Sequence, residues 1–313
     1  MTLTLPSPAR ALKIGTRGSP LALAQANETR DRLARAFDLP HEAFTIVVIK
    51  TTGDRVIDRP LKEIGGKGLF TKEIEEAMLA GDIDIAVHSM KDMPVEQPAG
   101  LLLDTYLPRE DVRDAFVSLT HAGIADLAQG ATVGTSSLRR RAQLLAKRPD
   151  LNIVEFRGNV QTRLGKLQKR VAEATFLAMA GLNRLGADDV RRFAISEDDM
   201  LPAVAQGAIG IERRAEDRQS AQLLDAIHDD LTGQRLAAER AFLAALDGSC
   251  ETPIGGLAEI TGDTLRLRGE ILRPDGSEVI ADDQTCAIAD GPALGRDMAR
   301  KMLDQAGPGF LHG

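Results

Sequence analysis

The sequence predicts an α/β protein. Two similar lobes, each with a mixed, mostly parallel sheet, precede a smaller C-terminal α+β domain with an antiparallel sheet. Three observations carry this expectation. Strand-like and helix-like runs alternate from residue 12 to residue 88, and the alternation returns over residues 132–179. From about Leu231 the pattern changes to one helix followed by short strands and turn residues. A chain of 313 residues has room for two or three such bodies.

In the first lobe, residues 12–15 read as a short buried strand. Ala22, Ala26, Thr29, Leu33 and Phe37 follow at helical spacing. Residues 44–49 are β-branched and strand-like. Residues 69–80 are helical, with Ile74, Ala77 and Met78 inward and Lys72 four before Glu76 outward. Residues 83–88 form the next strand. The second lobe repeats the style, with strands over 132–134, 152–156 and 175–179 and helices over 138–147 and 160–169. Each lobe opens with a strand, a loop of small residues and a helix start: Ile14-Gly15-Thr16-Arg17-Gly18-Ser19 and Val133-Gly134-Thr135-Ser136-Ser137-Leu138. In the last part, a helix over 234–246 leads to strands over 257–261, 265–272 and 278–288. Gly262-Asp263 and Pro274-Asp275-Gly276 supply the turns, and a final helix covers 292–305.

Composition narrows the function classes. The net charge of −7, the absence of Trp and the single Tyr argue against a nucleic-acid partner. The apolar runs are too short to span a bilayer, and the first ten residues lack a secretory pattern, so no membrane partner is expected. Two distant cysteines do not make a disulfide framework and suit a cytoplasmic setting. The five histidines show no zinc-ligand spacing, so no metal is expected. Gly65-Gly66-Lys67-Gly68 has the wrong spacing for a phosphate loop or a dinucleotide fingerprint. Nothing in the sequence demands more than a monomer.

Five places carry candidate chemistry. Ser136-Ser137-Leu138-Arg139-Arg140-Arg141 follows a strand and opens a helix, whose N-terminal N–H groups attract anions; it also reads as a solvated basic helix start. Arg157 leaves a strand end, and Arg163 lies on the following helix. Arg17 and Ser19 sit in a third loop of the same kind, before Pro20. Three such loops imply a polyanionic ligand. In His88-Ser89-Met90-Lys91-Asp92-Met93-Pro94, Asp92 suits a general acid–base or a cation-stabilising role, or caps a turn before Pro94. Cys250 lies in a loop flanked by small residues, where a thiol is reachable, although a lone loop cysteine is often only tolerated.

Together these residues resemble the porphobilinogen deaminase family. The resemblance runs almost end to end. It rests on Thr16-Arg17-x-Ser19-Pro20-Leu21-Ala22, Gly65-Gly66-Lys67-Gly68-Leu69-Phe70, His88-Ser89-Met90-Lys91-Asp92-x-Pro94 and Gly134-Thr135-Ser136-Ser137-Leu138-Arg139-Arg140. It continues in Phe156-Arg157-Gly158-Asn159-Val160-x-Thr162-Arg163-Leu164 and Ala180-Gly181-Leu182-x-Arg184-Leu185-Gly186. Leu201-Pro202-Ala203-x-x-Gln206-Gly207-x-x-Gly210-Ile211-Glu212 and Cys250-x-x-Pro253-Ile254-Gly255 complete it. Each motif alone is modestly specific; eight in order are very specific.

The resemblance implies two periplasmic-binding-protein-like lobes, residues 1–107 with 208–225 and residues 113–201, and a cysteine-bearing domain over 230–313. It implies a transferase that joins four porphobilinogen molecules head to tail, releases ammonia and yields hydroxymethylbilane for tetrapyrrole biosynthesis. The implied cofactor is a dipyrromethane held to Cys250 by a thioether. Lys67, Lys91, Asp92, Ser137, Arg139 and Arg140 are implied around the cofactor, and Arg17, Ser19, Arg157, Arg163 and Arg184 around the substrate. Asp92 is the implied catalytic residue. Two departures concern the cofactor loop and its surroundings. Ala172-Glu173-Ala174 stands where the family commonly has Tyr-Asp-Ala, and Gly248-Ser249 where it often has two glycines. A two-lobed anion-binding or effector-sensing protein without catalysis is one rival reading, and an inactive family member acting through binding only is the other.

Overall fold

The structure is a computed structural model describing residues 3–55, 71–249 and 252–311. Lys67 and Cys250 lie outside the described residues. The chain forms two compact units, Met1–Arg109 with Ala208–Gly233, and Glu110–Gly207 with Gln234–Gly313.

The first unit is built on a five-stranded sheet in the order β2-β1-β3-β10-β4. Its strands are β1 (Leu12–Thr16), β2 (Phe44–Val48), β3 (Ile85–Ser89), β4 (Leu101–Tyr106) and β10 (Ile209–Arg214). β1 pairs in parallel with β2 and β3, while β10 runs antiparallel to both β3 and β4. Helix α1 (Pro20–Phe37) starts where expected. Ser19 caps it, its Oγ accepting from the Ala22 N–H at 3.2 Å, and Pro20 occupies the first turn. Asp38 ends it in the left-handed region, at φ 52°. Helix α1 covers one sheet face through Leu33, Ile14, Ile85, Val87 and Ile211. On the other face, Ile74 and Met78 of helix α3 (Lys72–Leu79) cluster with Ile83 and Ala86. The unit also holds the short helices α2 (Thr52–Arg55) and α7 (Arg218–Asp225).

The second unit contains a sheet of the same design, ordered β7-β6-β8-β5-β9. Its strands are β5 (Asp114–Ser118), β6 (Thr132–Gly134), β7 (Asn152–Val154), β8 (Ala174–Ala178) and β9 (Arg192–Ala194). β6 pairs in parallel with β7 and β8, and β5 lies antiparallel to β8 and β9. Helices α4 (Leu138–Lys147), α5 (Val160–Gln168) and α6 (Met179–Arg184) accompany it. Phe116, Val133, Leu144 and Phe176 pack on one face, and Phe156, Leu177 and Leu182 on the other. The likeness of the two strand–loop–helix starts has a packing cause. A side chain at Gly134 would collide with the root of the Phe156 ring, and one at Gly15 would push aside the tip of Ile83, so both starts pack closely on a neighbouring side chain.

The sequence reading missed the antiparallel members β4, β5, β9 and β10. Leu101-Leu102-Leu103 hides the period of two that the burial of β4 displays. β5 is buried along its length and β10 over its first four residues, and neither carries a polar alternation.

The same unit holds helix α8 (Asp230–Ala245), a meander of β11 (Ile254–Thr261), β12 (Thr264–Leu272) and β13 (Val279–Ala287), and helix α9 (Gly291–Ala306). Both strand pairings are antiparallel, and β11 begins three residues earlier than the sequence suggested. Phe242 of α8 and Met298 of α9 meet over Gly269 of β12.

Candidate active site

In the first unit, the ends of β1 and β3 open into a cavity of about 70 Å³. Arg17, Ser19, Gln25, His88, Ser89 and Asp92 are among its lining residues. The sheet explains the convergence. β1 and β3 are adjacent and parallel, so their C-terminal ends lie side by side, where open α/β sheets place ligands. Gln25 and Ser89 fasten α1 to the end of β3, with Gln25 Nε2 2.9 Å from Ser89 Oγ. Lys91 and Asp92 form a 3₁₀ turn with Met90, whose buried side chain anchors it. Asp92 is half-buried and makes no hydrogen bond or ion pair with another described residue.

In the second unit, Ser137 caps α4, its Oγ accepting from the Arg140 N–H at 3.4 Å. Arg139 and Arg140 point into the body of the unit and are buried. Arg140 donates to Asp114 Oδ1 through Nε at 3.2 Å and Nη2 at 2.7 Å, and to the Phe176 carbonyl at 2.8 Å. Arg139 donates to the Leu201 carbonyl at 2.8 Å, and its Nη2 lies 2.8 Å from Asp114 Oδ2 as an ion-pair contact. Gln206 Nε2 adds a bond to Asp114 at 2.9 Å. Burial would raise the Asp114 pKa. The charges of Arg139 and Arg140, with hydrogen bonds from Arg140 and Gln206, overcome this and hold the carboxyl well below the usual carboxylate range. Burial pushes the Arg139 guanidinium below its ordinary value, against the pull of Asp114.

Arg157, at the exit of β7, has a buried Nη1 without a hydrogen-bond partner. Arg163 turns back onto its own loop, with Nε 2.9 Å from the Gly158 carbonyl. Arg184 Nη2 donates to the Gly207 carbonyl at 3.0 Å. The structure therefore gathers Arg17, Ser19 and Asp92 in one cavity and Arg139 and Arg140 on one carboxylate. Asp114 escaped the sequence reading, because a strand-start aspartate carries no local signal. Gln206 and His88 stood in quoted motifs without a role. Among the described residues no cluster of three metal-ligating side chains occurs, and no helix is long and apolar enough to cross a membrane.

Family models match almost the whole chain. One described as porphobilinogen deaminase, dipyromethane cofactor binding domain, covers residues 12–222, and one described as the C-terminal domain covers residues 234–304. This chain belongs to the porphobilinogen deaminase family. The porphobilinogen deaminase of Paracoccus denitrificans is 68% identical over 307 residues, covering 98% of each chain. That of Nitrobacter hamburgensis is 54% identical, covering 95% of this chain and 94% of its own. The chloroplastic porphobilinogen deaminase of Pisum sativum is 52% identical, covering 96% and 83%. Among solved structures, a Salmonella typhimurium periplasmic binding protein described for its high arginine specificity aligns with a TM-score of 0.40 at 15% identity, covering 71% of this chain and 93% of its own.

Proposed function

We propose that this chain has porphobilinogen deaminase activity. It joins four porphobilinogen molecules head to tail on a dipyrromethane carried by Cys250, releases ammonia at each addition, and frees hydroxymethylbilane by hydrolysis. The observation that carries this reading is an Asp92 carboxylate without a described partner in the cavity that Arg17 also lines.

Porphobilinogen bears an acetate, a propionate and an aminomethyl group. Arg17 and Ser19 hold a substrate carboxylate in this reading. Asp92 gives a proton to the departing amine and then, as a carboxylate, stabilises the cationic methylene left behind. Arginines cannot serve there, since they would oppose that cation. The dipyrromethane, when bound, supplies the pyrrole α-carbon that starts chain growth. The residues present suit such a carboxylate-rich group. Arg157 presents a buried, unpartnered N–H donor, and the capped start of α4 offers backbone donors beside Ser137. We assign Lys67, Lys91, Ser137, Arg139 and Arg140 to the dipyrromethane, and Arg157, Arg163 and Arg184 with Arg17 to incoming substrate. We read the chain as three domains, 1–107 with 208–225, 113–201 and 230–313, forming a monomeric cytoplasmic enzyme with a small-molecule substrate and no nucleic-acid or membrane partner.

Intact mass spectrometry tests the reading. The wild-type chain incubated with porphobilinogen should gain the mass of two linked pyrrole units, and Cys250→Ser should not. Asp92→Asn should keep the adduct and lose at least 100-fold in turnover, the usual scale of general acid–base catalysis. Full turnover in Asp92→Asn, or an equal adduct on Cys250→Ser, overturns the assignment.

A further inference from the structure

Beside the Asp92 cavity, the first sheet buries an imidazole–carboxylate pair that the reading above leaves unused. His88, one residue before the end of β3, lies opposite Gly210 of β10, and Glu212 lies two residues further along β10. That register puts both side chains on one sheet face. His88 Nε2 is 3.1 Å from Glu212 Oε2; His88 is 6% exposed and Glu212 fully buried. Glu212 Oε1 is also buried and has no hydrogen-bond partner. A third ionisable group, Glu75 of α3, packs on this face. Burial raises its pKa, the Glu212 charge adds to the rise, and His88 opposes it.

Apolar side chains would fill this face at less cost, as Ile74, Met78 and Ile83 do nearby. The pair has one property that packing does not need: His88 also lines the cavity that holds Arg17 and Asp92. An ionised carboxylate only accepts hydrogen bonds, so the ring nitrogen facing Glu212 carries a hydrogen. The ring therefore gains or loses its proton at Nδ1, which makes no hydrogen bond with a described residue.

We infer that His88, its tautomer fixed by Glu212, is the proton store of the Asp92 cavity, with Glu212 as its positioning residue. The inference rests on the condensation proposed above. In each addition the C–N bond breaks and nitrogen leaves with its electron pair and one proton. A C–C bond then forms, and the attacking pyrrole carbon loses one proton. His88 Nδ1 supplies the first proton through Asp92 and receives the second by the same route. The sum is one proton moved from carbon to nitrogen, with no oxidant or reductant. Asp92 thereby stays anionic while the cation exists. Storing the proton on the ring keeps it off Asp92 until it is delivered. The charged groups around the pair are Glu75 and Glu76 of α3, and Arg17, Lys91 and Asp92 at the cavity end.

Two measurements test this. In ¹⁵N NMR of the wild-type protein without substrate, neutral His88 should carry its hydrogen on Nε2, the nitrogen that faces Glu212. In Glu212→Gln, the alkaline limb of kcat should move about one pH unit lower, because the imidazolium loses its counter-charge, while KM changes less than twofold. His88→Asn should lose about 100-fold in kcat. A neutral ring with its hydrogen on Nδ1 overturns the inference even if the enzyme turns over. A purely structural pair would lower kcat equally at every pH and leave the limb in place, which also overturns it. Absence of porphobilinogen consumption by the wild type would instead remove the condensation and this inference together. If Glu212→Gln fails to fold, the wild-type spectrum and His88→Asn still decide.

Discussion

Arg140 Nη2 and Asp114 Oδ1 lie 2.7 Å apart, and both side chains are buried. Arg139 reaches the other oxygen of the same carboxylate, so one negative charge serves two guanidinium groups. This joins the start of β5 to the first turn of α4 and fixes the backbone that carries Ser137.

Asp114→Asn removes the carboxylate that both guanidinium groups share. It should destabilise the protein by about 3–5 kcal/mol, the usual penalty for stranding a buried charge. Urea denaturation at neutral pH measures it. The sign with pH also follows. The folded pKa of Asp114 is depressed, so its contribution is present above the unfolded value near 3.9 and declines only as pH falls below that. The difference between wild type and Asp114→Asn should stay level from pH 7 to about 5 and shrink in stronger acid.

Glu270 of β12 behaves in the opposite sense. Burial raises its pKa, although Arg139 and Lys147 pull it back. A raised carboxylate opposes folding above its unfolded pKa. Glu270→Gln should therefore melt higher than wild type at pH 7, and the gain should vanish below about pH 4.3, where the unfolded glutamate is also protonated. Thermal melts at pH 7 and pH 4 check it.

Glu239 of α8 is a backbone staple. Its Oε2 accepts from the Ala205 N–H and its Oε1 from the Ala258 N–H, both at 2.7 Å. Ala205 has φ 61°, a conformation unusual for a residue with a side chain. Glu239→Gln turns one acceptor into a donor facing another donor. The expected cost is about 1–3 kcal/mol, with faster amide hydrogen exchange at Ala205 or Ala258.

Arg157→Lys tests the anion reading directly. Nη1 is buried and lacks a partner, so a carboxylate there would complete it. A lysine keeps the charge and loses the planar fork. KM for porphobilinogen should rise about tenfold, the equivalent of 1.4 kcal/mol, with kcat changed far less. An unchanged KM would detach Arg157 from substrate.

Much of the fold was legible because it is written in local periodicity. Helix α1 announces itself through Ser19, Pro20 and apolar residues at helical spacing, and the parallel strands β1, β2, β3 and β6 through short apolar runs. The antiparallel strands were not legible, because β10 pairs with β3 across more than 100 residues of chain and no local pattern encodes that pairing. The site divided in the same way. Arg17, Ser19 and Asp92 were readable because each sits at a strand end, where the βα order alone puts ligand-facing loops.

The sequence by itself determined the alternating α/β order and the chemistry on offer: arginines beside hydroxyls, one placed carboxylate and one loop thiol. Only the tertiary structure decided which arginine meets which partner. Arg139 and Arg140 turn inward because a buried carboxylate, Asp114, stands more than twenty residues away in sequence and within 3 Å in space. His88 acquired a role only when β10 brought Glu212 beside it. The physical reason is range. Helix and strand formation are governed by neighbours a few residues apart, whereas the pairing of a buried charge depends on which distant segment the sheet lays alongside it.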